Sequence, residues 1–247
     1  MGDSGRMSDK FVIGDIHGCY DELMALFTAI QPKSDDTVIL LGDYIDRGAN
    51  SMAVLDAVLE LKNTCNVIAL RGNHEAMMIN AFTEHNHSLR LKALAQWCLN
   101  GGLQTMQSYM FDHNELIHTS NLNDVFIPKT LQSHIDFIKN MPTYHIDDTH
   151  IYVHASPRLD TPIAEQDEVT LLWRRPNKAD AKKSFKHMSG KTVVSGHTAQ
   201  KNGKPLDLGG SIIIDSGCYA TGWLTSMAVN HKTFIQADKH GNIRSFK

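Results

Sequence analysis

The sequence predicts an α/β fold built around a parallel sheet, and three observations carry that expectation. Short apolar runs of three to five residues, rich in Val and Ile, end in polar segments that mostly contain glycine. Between the early runs lie segments with helical spacing of apolar residues. The polar motifs sit where the runs end, which is where parallel sheets bind their ligands.

The elements follow in order. Residues 11–13 lead into GDIHG, 37–41 into GDYIDRG and 67–70 into RGNHE, and each run reads as a strand buried on both faces. In YDELMALFTAI, Leu23, Leu26, Phe27 and Ile30 fall at i, i+3, i+4 and i+7, and Pro32 stops the helix. Met52, Leu55 and Leu59 repeat that spacing within 51–62. Further strands are expected at 151–153, before His154, and at 192–194, before SGHT. Runs at 212–214, 227–229 and 234–237 form a closing set. The stretch 83–145 differs, being polar, histidine-bearing and without clear strands, with amphipathic helices at 89–97 and 131–141. It reads as a cap-like insertion on one side of the site, within a single domain spanning 8–247.

Composition narrows the function. A net charge of -3, with no basic run longer than Lys182-Lys183, argues against nucleic acid or acidic lipid as partner. No segment approaches the ~18 apolar residues of a membrane span. The four cysteines form no C-x-x-C pair, which argues against a zinc knuckle and a disulfide framework. Reduced thiols in the cytoplasm are the expectation. MGDSGR carries Arg6 where a myristoylation signal needs Ser or Thr; it reads as an added leader, with Met7 as the native start.

Taken singly, each motif has a plain structural reading: Asp15 could cap a helix, and His154 could be a satisfied core histidine. Together they are more specific. Asp15, His17, Asp43, Asn73, His154 and His197 all follow predicted strands and are all competent metal ligands. Oxygen and imidazole donors without thiolate suit Mn²⁺, with Fe or Zn²⁺ as alternatives. Two divalent cations keep a net positive charge after two carboxylates and a hydroxide are counted, enough to attract a phosphate dianion. Asp43 is the expected bridge between them.

GDIHG, GDYIDRG, RGNHE, the strand-end His154 and SGHT resemble, in order, the signature blocks of the PPP-family metallophosphatases, in the spacing of the compact bacterial and phage members of this calcineurin-like group. The resemblance implies two mixed β-sheets packed in a sandwich and flanked by helices, with a dinuclear site at the strand C-terminal ends. It implies Asp15, His17 and Asp43 on one metal, and Asp43, Asn73, His154 and His197 on the other. Asp46 is implied to orient His74, which would protonate the leaving alkoxide, and Arg47 to bind phosphate. A second phosphate-binding arginine is implied at Arg175, after the tryptophan of LLWRRP, or at Arg158; Arg174 is expected on the surface. Arg71 is expected to be structural, Glu75 to orient its loop, IDSG to buttress the site and Tyr219 to touch substrate.

The activity implied is phosphoserine and phosphothreonine hydrolysis by direct attack of a metal-bridging hydroxide. Hydrolysis of a dinucleoside polyphosphate such as diadenosine tetraphosphate is the alternative. Expected partners are phosphorylated proteins or small phosphate esters, with no nucleic acid, no membrane and a monomeric chain.

Overall fold

The computed structural model describes residues 8–247; the candidate start at Met7 and the leader before it lie outside the described residues. The chain begins as the sequence predicts, with strand β1 (Lys10–Ile13), helix α1 (Tyr20–Ile30), β2 (Thr37–Leu40), α2 (Ser51–Leu61) and β3 (Asn66–Ala69). The three strands pair in parallel. Helix α1 ends with Gln31 in the left-handed region, φ 42°, immediately before Pro32.

Five helices come next: α3 (Asn73–Thr83), α4 (His87–Leu99), α5 (Gly102–Ser108), α6 (Asn114–His118) and α7 (Lys129–Lys139). A second sheet is then built from β4 (Tyr144–Ile146), β5 (His150–Val153), β6 (Thr192–Ser195), β7 (Leu206–Asp207) and β8 (Ser211–Ile213), in the order β4-β5-β6-β8-β7. Helices α8 (Glu168–Trp173) and α9 (Lys178–Lys182) interrupt it. After the short α10 (Cys218–Thr221), strands β9 (Leu224–Ala228), β10 (Thr233–Ala237) and β11 (Ile243–Phe246) return to the first sheet, whose order is β11-β10-β9-β1-β2-β3. Both sheets are mixed: β1 to β3 pair in parallel at one end of the first sheet and β5, β6 and β8 in the middle of the second, while β4, β7 and β9 to β11 run antiparallel to their neighbours.

Alternation along the strands explains the layers. In β1, Phe11 and Ile13 face the helices while Val12 faces the other sheet. Val12, Ile39, Tyr152, Val194, Ile212 and Met227 form the contact between the sheets. Burying an aliphatic side chain of this kind is worth ~1.5–3 kcal/mol. Among the described residues, no helix is long and apolar enough to cross a membrane.

Two readings need correction. Strand β3 is not buried on both faces: it is the edge of its sheet, with only β2 as partner, and its residues are exposed or half-buried. Strands β4, β7 and β11 were not legible; each is a short antiparallel edge with too few apolar residues to show a period. The stretch 83–145, expected as a cap-like insertion within the domain, packs into its core: Leu94, Trp97, Met106, Leu131 and Ile135 share one buried cluster with Leu23, Val54 and Phe82. It continues the helical layer over the first sheet, and its end belongs to β4.

Candidate metal centre

The polar motifs converge where the parallel strands end. Asp15 and His17 follow β1, Asp43 and Asp46 follow β2, Asn73 and His74 open α3 after β3, His154 follows β5 and His197 follows β6. Gly42 and Gly72 let two of these loops interlock: a Cβ on Gly42, φ 103°, would stand 2.5 Å from the Gly72 nitrogen. Glu75 pins them, its carboxylate accepting from the backbone N–H groups of Asp43 (2.8 Å), Tyr44 (2.8 Å) and Gly72 (2.9 Å). This is the loop-orienting role expected of it. Burial pushes its carboxyl up to about 7, against the pull of those N–H donors. His17, Asp43, Asp46, Arg47 and His197 all have positive φ, from 49° to 74°. Such backbone is costly for non-glycine residues and persists where surrounding structure enforces it.

The imidazoles are aimed by their outer nitrogens. His17 Nδ1 donates to the Ile45 carbonyl at 2.8 Å and His154 Nδ1 to the Leu41 carbonyl at 2.9 Å. Each ring therefore turns an Nε2 lone pair inward. Asp43 lies between them, with Oδ2 at 3.4 Å from His17 and Oδ1 at 3.4 Å from His154. One carboxylate thus faces two imidazoles with different oxygens. His197 Nε2 donates to the Trp173 carbonyl at 3.1 Å, which leaves Nδ1 facing the Asn73 carboxamide oxygen at 2.9 Å. His154 Nε2 approaches the same oxygen at 2.8 Å. Lone pairs thus converge with no proton between them, an arrangement that a cation satisfies.

Electrostatics agree with that reading. Burial, the largest cause, pushes His17 and His154 well below the usual histidine range and His197 down to about 4, so all three are neutral donors. Burial likewise pushes Asp15 and Asp43 up, reinforced by Asp215 on the first and Glu75 on the second. Arg47 offsets this only in part, since Asp43 stays raised despite it. Two groups of donors emerge, His17 with Asp43 and His74, and Asp43 with His154 and His197, each with ligand atoms within 4.8 Å of one another. Asn73 borders the second group. Asp15 lies beside it, accepting from the His197 backbone N–H at 3.0 Å and hydrogen-bonded to Asp215, which is the buttress expected of IDSG.

Asp46 does not join either group. Its Oδ2 lies 2.6 Å from His74 Nδ1, completely buried. Burial pushes Asp46 up to about 7, opposed by Thr105 and Trp97, and pushes His74 down to about 3. Thr105 donates to Oδ1 at 2.6 Å, and the indole N–H of Trp97 lies within 3.0 Å of both oxygens. Sequence reasoning missed these two residues because they lie in 83–145, far from any glycine-anchored block.

Arg47 reaches two imidazoles of the first group, with one guanidinium nitrogen 2.8 Å from His17 Nε2 and another 3.1 Å from His74 Nε2. Tyr219 lies under it, the ring 4.5 Å from the guanidinium carbon and edge-on to His17. Arg175 is exposed, and its charge is felt by His197 and Asp215. Arg158 is also exposed, but its charge acts on Asp167, outside the cluster. Arg174 is not a free surface residue: it clamps Asp180 through two bonds of 2.7 and 2.8 Å, because that buried carboxylate at the start of α9 needs a cation. Arg71 pairs with Glu168 at 2.7 Å, the structural role expected.

Known proteins fit this picture. The calcineurin-like phosphoesterase family matches residues 11–201. A symmetrical bis(5'-nucleosyl)-tetraphosphatase of Salmonella paratyphi B is 41% identical over 73 residues, covering 29% of this chain and 25% of that protein. The chain thus aligns with about a quarter of that relative's length. Two solved structures share the fold at low identity. One is a candidate diadenosine tetraphosphatase, with TM-score 0.66, 19% identity and 95% of each chain covered. The other is a serine/threonine phosphatase of Saccharomyces cerevisiae similar to human phosphatase PP5, with TM-score 0.62, 15% identity and 99% of this chain and 81% of that one covered. The family match takes in strands β1 to β6 and the blocks GDIHG, GDYIDRG, RGNHE and SGHT, and the chain belongs to the calcineurin-like phosphoesterase family.

Proposed function

We propose that the protein hydrolyses phosphate monoesters of serine and threonine side chains, and the observation that carries this reading is the buried Asp46–His74 pair. A departing alkoxide is a very poor leaving group and needs a proton, whereas a phosphoanhydride needs one far less. His74 holds its Nδ1 against Asp46 at 2.6 Å, so Nε2 is the nitrogen left to face the leaving oxygen. General acid assistance of this kind is typically worth ~10²–10⁴-fold.

The donor set fits two divalent cations, Mn²⁺ being the best match to its oxygen and imidazole ligands. Asp15, His17 and Asp43 would hold one, and Asp43, Asn73, His154 and His197 the other. Cations so held would lower the pKa of a water at neutral pH and offset the charge of the phosphate. The chain's own residues then do the rest. Arg47 and Arg175 bind the phosphate oxygens, and Tyr219 packs against the Arg47 guanidinium. His74 gives a proton from Nε2 to the departing oxygen only as imidazolium, with Nδ1–H on Asp46. That second proton must be taken up before the bond breaks, against the burial that holds the ring neutral. No side-chain nucleophile takes part. The protein acts as a monomeric single domain of the cytoplasm on phosphorylated proteins or small phosphate esters.

A second reading is hydrolysis of a dinucleoside polyphosphate, favoured by the relative named symmetrical bis(5'-nucleosyl)-tetraphosphatase. A panel of phosphoserine and phosphothreonine peptides against diadenosine tetraphosphate, at equal Mn²⁺, separates the two. Higher kcat/KM on the peptides is expected. Higher kcat/KM on the dinucleotide would replace the first reading by the second.

A further inference from the structure

A second group of metal-competent side chains lies outside the centre. Cys19 sits at the N-terminal end of α1, Glu22 in its first turn and Cys218 at the start of α10. Their ligand atoms all lie within 4.8 Å of one another. The three residues are 9%, 8% and 1% exposed. Among the described residues, no ion pair or side-chain hydrogen bond is made to the Glu22 carboxylate. A cavity of about 460 Å³ opens onto all three, with Asp238, Lys239 and His240 also in its wall.

A carboxylate more than nine-tenths buried against two thiols, with no ion pair to the Lys239 of the same cavity, is costly. A disulfide between the thiols would leave that cost unrelieved. A thiophilic divalent cation relieves it: two thiolates balance the charge and the carboxylate supplies a third donor. The fourth tetrahedral position is left to water from the cavity. Thiolate donors also distinguish this set from the oxygen and imidazole ligands of the catalytic centre. The cysteines are remote in sequence and form no C-x-x-C pair, so no spacing rule announces the site.

We propose that Cys19, Glu22 and Cys218 form a separate site for one thiophilic divalent cation of the Zn²⁺ class. Binding releases the two thiol protons to solvent. Cys19 lies two residues beyond His17, and Cys218 adjoins Tyr219, which faces Arg47. An ion there ties the loop carrying one candidate ligand to the segment that supports the phosphate-binding arginine.

The test uses the full chain, reduced and with the catalytic centre saturated by Mn²⁺. Cd²⁺ is titrated in while thiolate-to-metal charge-transfer absorbance is followed; the catalytic donors contain no thiol and are silent in that band. The band is expected to saturate at one equivalent. Cys218→Ser should abolish its tight component, and Glu22→Gln should keep the band but weaken binding by at least about tenfold. Circular dichroism confirms that each variant is folded, and the Glu22→Gln titration stands if Cys218→Ser is not. No band at stoichiometric Cd²⁺, or a band unchanged in folded Cys218→Ser, overturns the proposal. So does a Cys19–Cys218 disulfide in the untreated protein whose reduction yields thiols that give no band.

Discussion

Trp97 places its indole N–H 2.9 and 3.0 Å from the two carboxylate oxygens of Asp46, in a site where both side chains are fully buried. The donor belongs to helix α4, within the stretch that looked like a cap. It holds the acid that holds His74, so a residue with no chemistry of its own sets the orientation of the proposed proton donor.

Trp97→Phe keeps most of the ring packing against Phe82 but removes the donor. Losing a hydrogen bond to a buried charged group should lower stability by roughly 1.5–3 kcal/mol, measurable by urea denaturation. Trp97 is one of the groups opposing the burial that raises Asp46 to about 7, so its loss raises that value further. The acid limb of the pH–rate profile should therefore move to higher pH. An unmoved limb would detach Trp97 from the catalytic pair.

His74→Asn is expected to cost far more on a phosphoserine peptide than on p-nitrophenyl phosphate, whose leaving group departs without help. The loss on the peptide should be ~10²–10⁴-fold. Asp46→Asn should show the same asymmetry in milder form. Equal losses on both substrates at saturating Mn²⁺ would mean that His74 only supports the neighbouring Asn73.

These two residues also show what the sequence could reveal. Asp46 and His74 lie in short glycine-anchored blocks at strand ends, and such blocks are legible because backbone geometry forces their composition. Their supporters Trp97 and Thr105 are ordinary helical residues whose importance comes only from a tertiary contact. Cys19 and Cys218 illustrate the same limit, since no pattern in the chain brings them together. Strands β1, β2, β5, β6 and β8 were readable because both faces are buried and the apolar run is continuous. Edge strands such as β4 and β7 carry no such run.

Arg47→Ala and Arg175→Ala should each weaken transition-state stabilisation by about 2–4 kcal/mol, with metal content unchanged. Inorganic phosphate should inhibit both variants less. Arg158→Ala should be nearly silent, because its charge acts on Asp167 and not on the centre. Steady-state kinetics with phosphate as inhibitor checks all three, and a large effect confined to Arg158→Ala would exchange the assignments.

Stability should depend on pH in opposite senses with and without metal. Burial raises Asp15 and Asp43, and raises Asp46 and Glu75 to about 7. A carboxyl raised in the folded state stabilises below its unfolded pKa of about 4, and that contribution is lost as pH rises through the folded value. The chelated protein should therefore lose stability between about pH 4 and 7. Mn²⁺ at a hundred times its Kd should restore ~2.7 kcal/mol at pH 7. Asp43→Asn should melt higher than wild type when chelated, yet gain little from Mn²⁺. Calorimetry at several pH values checks both signs, and a normal Mn²⁺ gain in Asp43→Asn would remove Asp43 from the bridging position.

The first sheet is completed only by strands β9 to β11, from the last part of the chain, which pair back onto β1 from the first. The donors are divided in the same way: Asp43 lies early, while the histidines that share its second group lie beyond residue 150. During synthesis the early half therefore leaves the ribosome with His17, Asp43 and His74 but without the histidines of the second group, and with its sheet open along β1. The enzyme cannot switch on partway through translation. Its chemistry arrives last, together with the strands that seal the fold.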